Sequence, residues 1–464
     1  MAELHDLTAI EQLAALRGRE LSPVDLVDHY LDRIARLDGG LGAFVEVTAD
    51  AARERARALG DDTGPLRGLP FADKDLTPRI GVPTRFGSLL HRDFIPDATG
   101  DAAAVLDEAG AVSLGKTNTP EFGLTGYTET RFAPPARDPW NPANGAGGSS
   151  GGAATAVAAG LLPLAPASDG GGSIRIPAAT VGIVGIKPSR GRVAYGSGLD
   201  SPGGLSVAGP IARTVADAAL LLDVQVGGRP LRHATAAPGQ GPFLDAASSE
   251  TPLRVGVTTV SPWDDADDIR LDAEHARAVT VAVELLAGIH RVDAFAWRPR
   301  GYAELFTTLW RTSAARMQLS DAELELVEPI TAWLVREGRA LTGAEVLDAL
   351  TAATAFERET IAAFSPFDAV LTPALGLPAR PIGWFDREDP ARNFSQQVQY
   401  APYSSFVNVA GLPAIVVPVV LDGAGHPVSV QLIGRPGGEA AIIALGAALE
   451  ERVGPLGRPS AFSA

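Results

Sequence analysis

Cysteine is absent from all 464 residues, which removes disulfides, thiolate metal sites and a cysteine nucleophile together. The redox compartment stays open, because a chain without thiols suits any of them. Positive charge is scarce as well: 39 Lys and Arg against 55 Asp and Glu give a formal charge of −16. That balance repels nucleic acid and anionic lipid, and no Lys/Arg cluster opposes it. A long hydrophobic run is also missing. The most apolar stretch, Gly151 to Ala167, is broken by Gly160 and Pro163 and is too rich in small residues to span a bilayer. Glu3, Asp6 and Glu11 near the start are wrong for a signal peptide. A soluble, cytoplasmic protein with neither nucleic acid nor membrane as partner is expected.

What is present is an ordinary globular balance, 46% hydrophobic and 20% charged residues, in a chain long enough to bury a large core. Thr8-Ala-Ile-Glu11 reads as a capping box, and Ser22 before Pro23 as an N-cap with proline at the first helical position. Leu26, Val27, Tyr30, Leu31 and Ile34 keep a helical period, so two packed helices are expected over 7–38. Strand-like runs at Ala43–Val47, Leu69–Asp75 and Val112–Gly115 then alternate with helical ones over 50–59, 101–109, 150–160 and 214–223. Residues 225–250 are Gly/Pro/Ala-rich and read as loop. A strand at Leu253–Val257 precedes a mainly helical stretch over 269–363. Strands return at Ala369–Thr372, Ala414–Val420 and Val428–Ile433, before a terminal helix over 439–452. Such alternation marks an α/β sheet with helices on its faces. No repeat divides the chain.

Two serine sites lie on glycine-rich backbone, Gly147-Gly-Ser-Ser-Gly-Gly152 and Asp169-Gly-Gly-Gly-Ser-Ile-Arg-Ile-Pro177. A lone lysine, Lys74, sits upstream in the run Leu69–Leu76. A serine hydroxyl is a poor nucleophile until a base takes its proton. The seven histidines fall in no recognisable motif and read mostly as surface or helix-face residues. A lysine serves instead if burial disfavours its ammonium form, which takes about 4–5 kcal/mol of environmental bias. Asp73 and Asp75 flank Lys74 and would hold it charged, but in a strand both project to the opposite face. Gly170, Gly171 and Gly172 can gather backbone N–H groups into an oxyanion hole, typically about 3–4 kcal/mol per donor. The Ser149 hydroxyl both donates and accepts, so it can relay a proton.

These residues, in order and almost end to end, resemble the amidase signature enzymes. The resemblance runs through Gly68-Leu-Pro-Phe with Lys74-Asp75, Gly115-Lys-Thr-Asn-Thr-Pro-Glu-Phe-Gly123, Asp138-Pro-Trp-Asn-Pro142 and both serine sites. It continues through Gly185-Ile-Lys-Pro-Ser189, Gly209-Pro-Ile-Ala-Arg-Thr214, Gly411-Leu-Pro-Ala and Gln431-Leu-Ile-Gly-Arg435. It implies an α/β class, an α/β/α sandwich around a large mixed, mostly parallel twisted sheet. One domain over 1–464 is expected, with an N-terminal helical region over 1–65 and a variable, mainly helical substrate-side region over 225–365. By the same resemblance Ser173 is the acyl-enzyme nucleophile, Ser149 the relay on a cis peptide, and Lys74 the base. Asp169 and Arg175 are implied supports of the serine loop, and Ser150 a hydrogen-bonding brace. The family more often has a β-branched residue where Gly170 stands and an apolar one where Asp73 stands.

Ile176 and the Tyr195-Gly-Ser-Gly segment resemble a stand-alone amidase. The rival within the family is the glutaminase subunit of a tRNA-dependent amidotransferase, which carries Gln where this chain has Ile176. An α/β-hydrolase elbow centred on Ser149 or Ser150 fits less well, since loop rather than strand precedes it. No metal or cofactor is implied. The expected partner is a small amide substrate, and a homodimer is allowed. Gly123, Leu124, Thr125 and Gly126 neighbour the acyl pocket by resemblance. Tyr302, Phe306, Trp310 and Met317 keep helical spacing, which reads first as core packing and second as an apolar or aryl pocket wall. The Asp-Gly-Gly-Gly-Ser form is similar to that of 6-aminohexanoate cyclic dimer hydrolases.

Overall fold

The N-terminal helices form where their caps place them. Thr8 Oγ1 accepts the Glu11 N–H while Glu11 accepts the Thr8 N–H, and helix Ala9–Arg17 follows. Ser22 accepts the Asp25 N–H at 3.1 Å and Pro23 opens helix Pro23–Leu37. The buried face of that second helix is Leu26, Val27, Tyr30, Leu31 and Ile34, the periodic set read from the sequence. The computed structural model describes residues 3–60, 64–194, 202–227 and 241–463. Tyr195-Gly-Ser-Gly and the centre of the 225–250 stretch lie outside them.

Three strands, β1 (Phe44–Val47), β2 (Pro70–Lys74) and β3 (Val112–Thr117), make a small sheet in the order β1-β3-β2. The large sheet holds β4 (Leu164–Asp169), β5 (Val184–Lys187), β6 (Val207–Ala212), β7 (Arg254–Val257), β8 (Arg291–Ala294), β9 (Ala369–Pro373), β10 (Ala414–Leu421) and β11 (Pro427–Gly434). Its order is β4-β6-β5-β10-β11-β9-β7-β8. Helices Val215–Gly227, Ala273–Ala287 and Glu439–Val453 pack on one another and on this sheet, and Gly151–Ala158 and Arg175–Val181 form a separate pair against it. Every residue of β5, β6 and β11 is buried, as in strands covered on both faces.

The large mixed sheet with its helices is the predicted architecture, but its prevailing direction is not. Five of its pairings are antiparallel, and only β7 with β8 and with β9 run parallel. The reason lies in the connections. β10 and β11 are joined by the short turn Asp422–His426, which allows only a hairpin. No helix longer than a single turn is described between β5 and β6, whereas helix Ala273–Ala287 carries β7 over to a parallel β8. Four strands escaped the sequence reading. β4 contains Pro166 and no β-branched residue, β5 is four residues long, and β6 and β8 lie in stretches without clean alternation. Pairing with neighbours distant in the chain overrides their weak local preference. Within 225–250 the helix Val215–Gly227 runs further than expected, and a short helix appears at Phe243–Ala246.

One apolar core joins the N-terminal helices (Val27, Tyr30), β3 (Val112, Leu114), β10 (Ile415, Val417), β11 (Val430, Leu432) and the last helix (Leu445, Leu449). A second, aromatic core gathers Trp263, Tyr302, Phe306, Phe356, Phe364 and Phe406 beside helix Tyr302–Ala315. β2 packs against β4, so the ends of these two strands, Lys74 and Asp169, come to the same place. Helix Gly151–Ala158 seats there because it starts on glycine. A Cβ at Gly152 would stand 2.3 Å from Asn118 N and 2.4 Å from Ala43 O, both backbone atoms.

Gly152→Ala therefore forces the helix off its seat. We expect a loss of about 2–3 kcal/mol in urea unfolding, and a neutral result would contradict the described contact.

Candidate active site

Lys74 ends β2 with only 3% of its surface exposed. Its Nζ donates to Ser149 Oγ at 2.7 Å and to Ser168 Oγ at 3.2 Å. Burial pulls its pKa down to about 7, against the opposing pull of the Asp169 carboxylate. Its sequence neighbours do not interfere. Asp73 is held by Arg79 Nε at 2.6 Å and Ser113 Oγ at 3.1 Å, and Asp75 faces Lys116 Nζ at 3.4 Å. The alternation expected of a strand has placed both carboxylates among other cations.

The two serine loops meet backbone to backbone: the Ser150 N–H donates to Ser173 O at 3.1 Å. Ser150 Oγ reaches Ser168 O at 3.4 Å, a bracing contact with β4. The Gly148–Ser149 peptide is cis, as the resemblance implied. Gly123 lies against this serine, where a Cβ would be 3.4 Å from Ser149 Oγ.

Asp169 organises the second loop. Fully buried, it accepts the N–H groups of Gly172 at 2.7 Å and Ile174 at 3.1 Å, and the Arg175 guanidinium at 2.9 and 3.0 Å. Burial pushes this carboxyl up, but the charge and hydrogen bonds of Arg175 outweigh it and hold the group well below the ordinary carboxylate range. Arg175 also donates to Ser404 O, Gln431 Oε1 and Asn408 Oδ1.

That network corrects the expected oxyanion set. Because the Gly172 N–H is spent on Asp169, it is unavailable to a substrate oxygen. Among the described residues no acceptor pairs with the N–H groups of Gly170, Gly171 or Ser173. Gly172 has a different reason to be glycine: its φ is +129°, and a Cβ would strike Ser404 Oγ at 2.4 Å.

Ser173 lies on the wall of two cavities. The first, about 520 Å³, is lined by Gly171, Ile176, Trp263, Phe306, Trp310 and Phe394, with Leu124, Thr125 and Gly126 at its side. The second, about 880 Å³, holds Ser149, Ser168, Gly170, Gly123, Leu205 and Met317. Ser173, Leu124 and Trp310 belong to both. All five residues read as pocket candidates, Gly123 to Gly126 and Trp310, thus line one cavity or the other. Tyr302 takes the alternative role of core packing, at 0% exposure. Phe394, Gln397, Val398 and Ala401 were missed, although their spacing on and just after helix Pro390–Tyr400 is an ordinary helical face signal. Ser404 and Ser405 carry no comparable signal.

No histidine lines either cavity among the described residues. His5 and His275 are buried rather than superficial, and burial lowers both to about 4. Among the described residues the group able to offer three ligand atoms to a metal is Glu3, His5 and His29, within 4.8 Å of one another. His5 there bonds His29 at 3.1 Å and Phe462 O at 3.0 Å, so the cluster is already satisfied internally. No helix among the described residues is long and apolar enough to cross a membrane.

Known proteins share this arrangement across their full length. The protein AmiB2 of Mycobacterium tuberculosis is 37% identical over 455 residues, covering 95% of each chain. The amidase-type subunit of the glutamyl-tRNA(Gln) amidotransferase of Synechococcus is 34% identical, covering 93% of each. Among solved structures, a 6-aminohexanoate cyclic dimer hydrolase in complex with substrate superposes with a TM-score of 0.91. Its sequence is 28% identical, covering 99% of this chain and 100% of that one. A bacterial aryl acylamidase reaches a TM-score of 0.86 at 25% identity, covering 100% of this chain and 98% of that one. The family profile described as Amidase matches residues 25–443, a span that takes in Lys74, both serine loops and the strands that position them. The chain belongs to the amidase signature family.

Proposed function

We propose that the chain is a stand-alone amidase that hydrolyses a carboxylic amide through an acyl-enzyme on Ser173. One observation carries this reading: a buried amine whose charge is disfavoured donates to Ser149 at 2.7 Å, on the wall of a cavity that Ser149 shares with Ser173. Neutral Lys74 draws a proton through Ser149 from the Ser173 hydroxyl, and Ser173 Oγ bonds to the amide carbon. The carbonyl oxygen takes up negative charge and is met by the free N–H groups of Gly170, Gly171 and Ser173. As the C–N bond breaks, the proton returns through Ser149 to the leaving nitrogen. Water then attacks the ester by the same route, releasing the acid and restoring Ser173.

The whole chain acts as a single domain in this reading, since one core runs from Ala9 to Leu449. The region over 225–365 works on the substrate side through helix Tyr302–Ala315, which brings Phe306 and Trp310 to the cavities. The 6-aminohexanoate cyclic dimer hydrolase and aryl acylamidase resemblances support an amide substrate with a sizeable acyl or amine part. The rival amidotransferase reading asks for a site that holds the charged α-groups of glutamine. Neither cavity has a charged side chain among the described residues.

Ser173→Ala should lose fluorophosphonate labelling and lower kcat by about 10⁴-fold or more; label that persists on another serine contradicts the assignment. Lys74→Ala should remove most activity while circular dichroism stays native. The kcat/KM profile should rise with pH through about 7, because only deprotonated Lys74 accepts the serine proton. A profile flat into acid would exclude a lysine base.

A further inference from the structure

The geometry points to Trp310 as the specificity-determining wall of the site, admitting an uncharged amide whose planar aryl acyl group lies against the indole. This inference rests on the acyl-enzyme reading above. Assignment of the two cavities follows from where the proton goes. The leaving nitrogen must face Ser149, so the amine half occupies the cavity that holds Ser149 and Ser168, and the acyl half turns into the aromatic one.

The aromatic cavity offers a ligand little to bond beyond Ser173 itself. Its polar side chains already have protein partners. Thr125 donates to Tyr127 O at 2.8 Å, and Ser404 to Gly171 O at 2.7 Å. Gln397 accepts the Gly126 N–H at 2.8 Å and donates to Asn393 at 2.7 Å, while Ser405 receives the Tyr302 hydroxyl at 2.7 Å. A carboxylate or ammonium on the acyl group would shed its water and meet neither counter-charge nor a ready set of hydrogen bonds.

Trp310 itself is held in place. Its ring stacks on Phe306 with centroids 5.5 Å apart and planes at 19°, and Phe306 stacks in turn on buried Tyr302 at 5.9 Å and 22°. The indole also covers Gly170: a Cβ there would sit 3.6 Å from Trp310 Cη2 and Cζ3, in ordinary contact. Alanine fits at 170, but the branches of isoleucine would run into the ring. The missing side chain at 170 and the indole at 310 are therefore one device, a flat wall where a β-branched residue would otherwise stand.

The test is a panel of anilides with four acyl groups: benzoyl, 4-carboxybenzoyl, 4-(aminomethyl)benzoyl and cyclohexanecarbonyl. In the wild type, kcat/KM for benzoyl should exceed that for both charged acyl groups by about 100-fold. Trp310→Ala should lower benzoyl turnover by about tenfold while leaving cyclohexanecarbonyl within about threefold. Gly170→Ile should impair the wild type but cost less in the Trp310→Ala background, as expected for neighbours that compete for one space. Charged and neutral acyl groups hydrolysed alike, a uniform loss across the panel in Trp310→Ala, or strict additivity with Gly170→Ile would overturn this inference and leave the amidase reading standing. No turnover of any amide, together with no labelling of Ser173, would sink the amidase reading and this inference with it.

Discussion

The buried ion pair between Asp169 and Arg175 holds the site together. Three segments of the chain converge on it: the end of β4, helix Ser405–Val409 through Asn408, and β11 through Gln431. Taking one partner from such a buried pair costs about 3–5 kcal/mol, because the remaining charge has no water to turn to. Here the pair is also directional. Each carboxylate oxygen fixes a backbone N–H of the serine loop, so the electrostatics of the core set the path of the backbone that carries Ser173. Stability and site geometry are the same interaction seen from two sides.

Lys74 presents the complementary problem, a charge that the fold must disfavour within reach of that same carboxylate. Asp169 opposes the neutral form, and burial wins. What lets burial win is the removal of every other anion from the neighbourhood. Asp73 and Asp75, adjacent in sequence, are bound to Arg79 and to the Arg85 N–H and faced by Lys116. Asp169 itself is already neutralised by Arg175. The lysine is thus isolated by pairing its potential partners elsewhere.

Much of this was legible before any coordinates. Lys74, Ser149 and Ser173 stood out because glycine-rich loops and a lysine in an apolar run are rare combinations, and the fold brings the lysine to one serine and that serine's cavity to the other. Strands with strong β-branched runs, such as β10 and β11, were equally readable. Gly172 was not. Whether a backbone N–H faces a substrate or a carboxylate depends on the turn that follows, and Asp169 folds back onto its own loop in a way that residue spacing does not announce. Sheet direction was hidden for a related reason, since alternating elements suggest crossovers while the connecting lengths decide hairpins. Trp310 sat between two readings because an aromatic helix face looks alike whether it packs on a core or borders a cavity, and this helix does both.

The strand order has a consequence for how the molecule comes to be made. β5 is an interior strand, paired on one side to β6 and on the other to β10, which is supplied from near the far end of the chain. While the chain is being synthesised, β4, β6 and β5 can pair, but β5 presents a bare edge until the β10–β11 hairpin has emerged. Arg175 waits for the same event, because Gln431 belongs to β11. The nascent protein therefore passes through a long interval with an open sheet edge and an incompletely bonded buried cation. Chaperone demand and loss of yield should concentrate in that interval, and truncation near the C-terminus should harm the serine loop first.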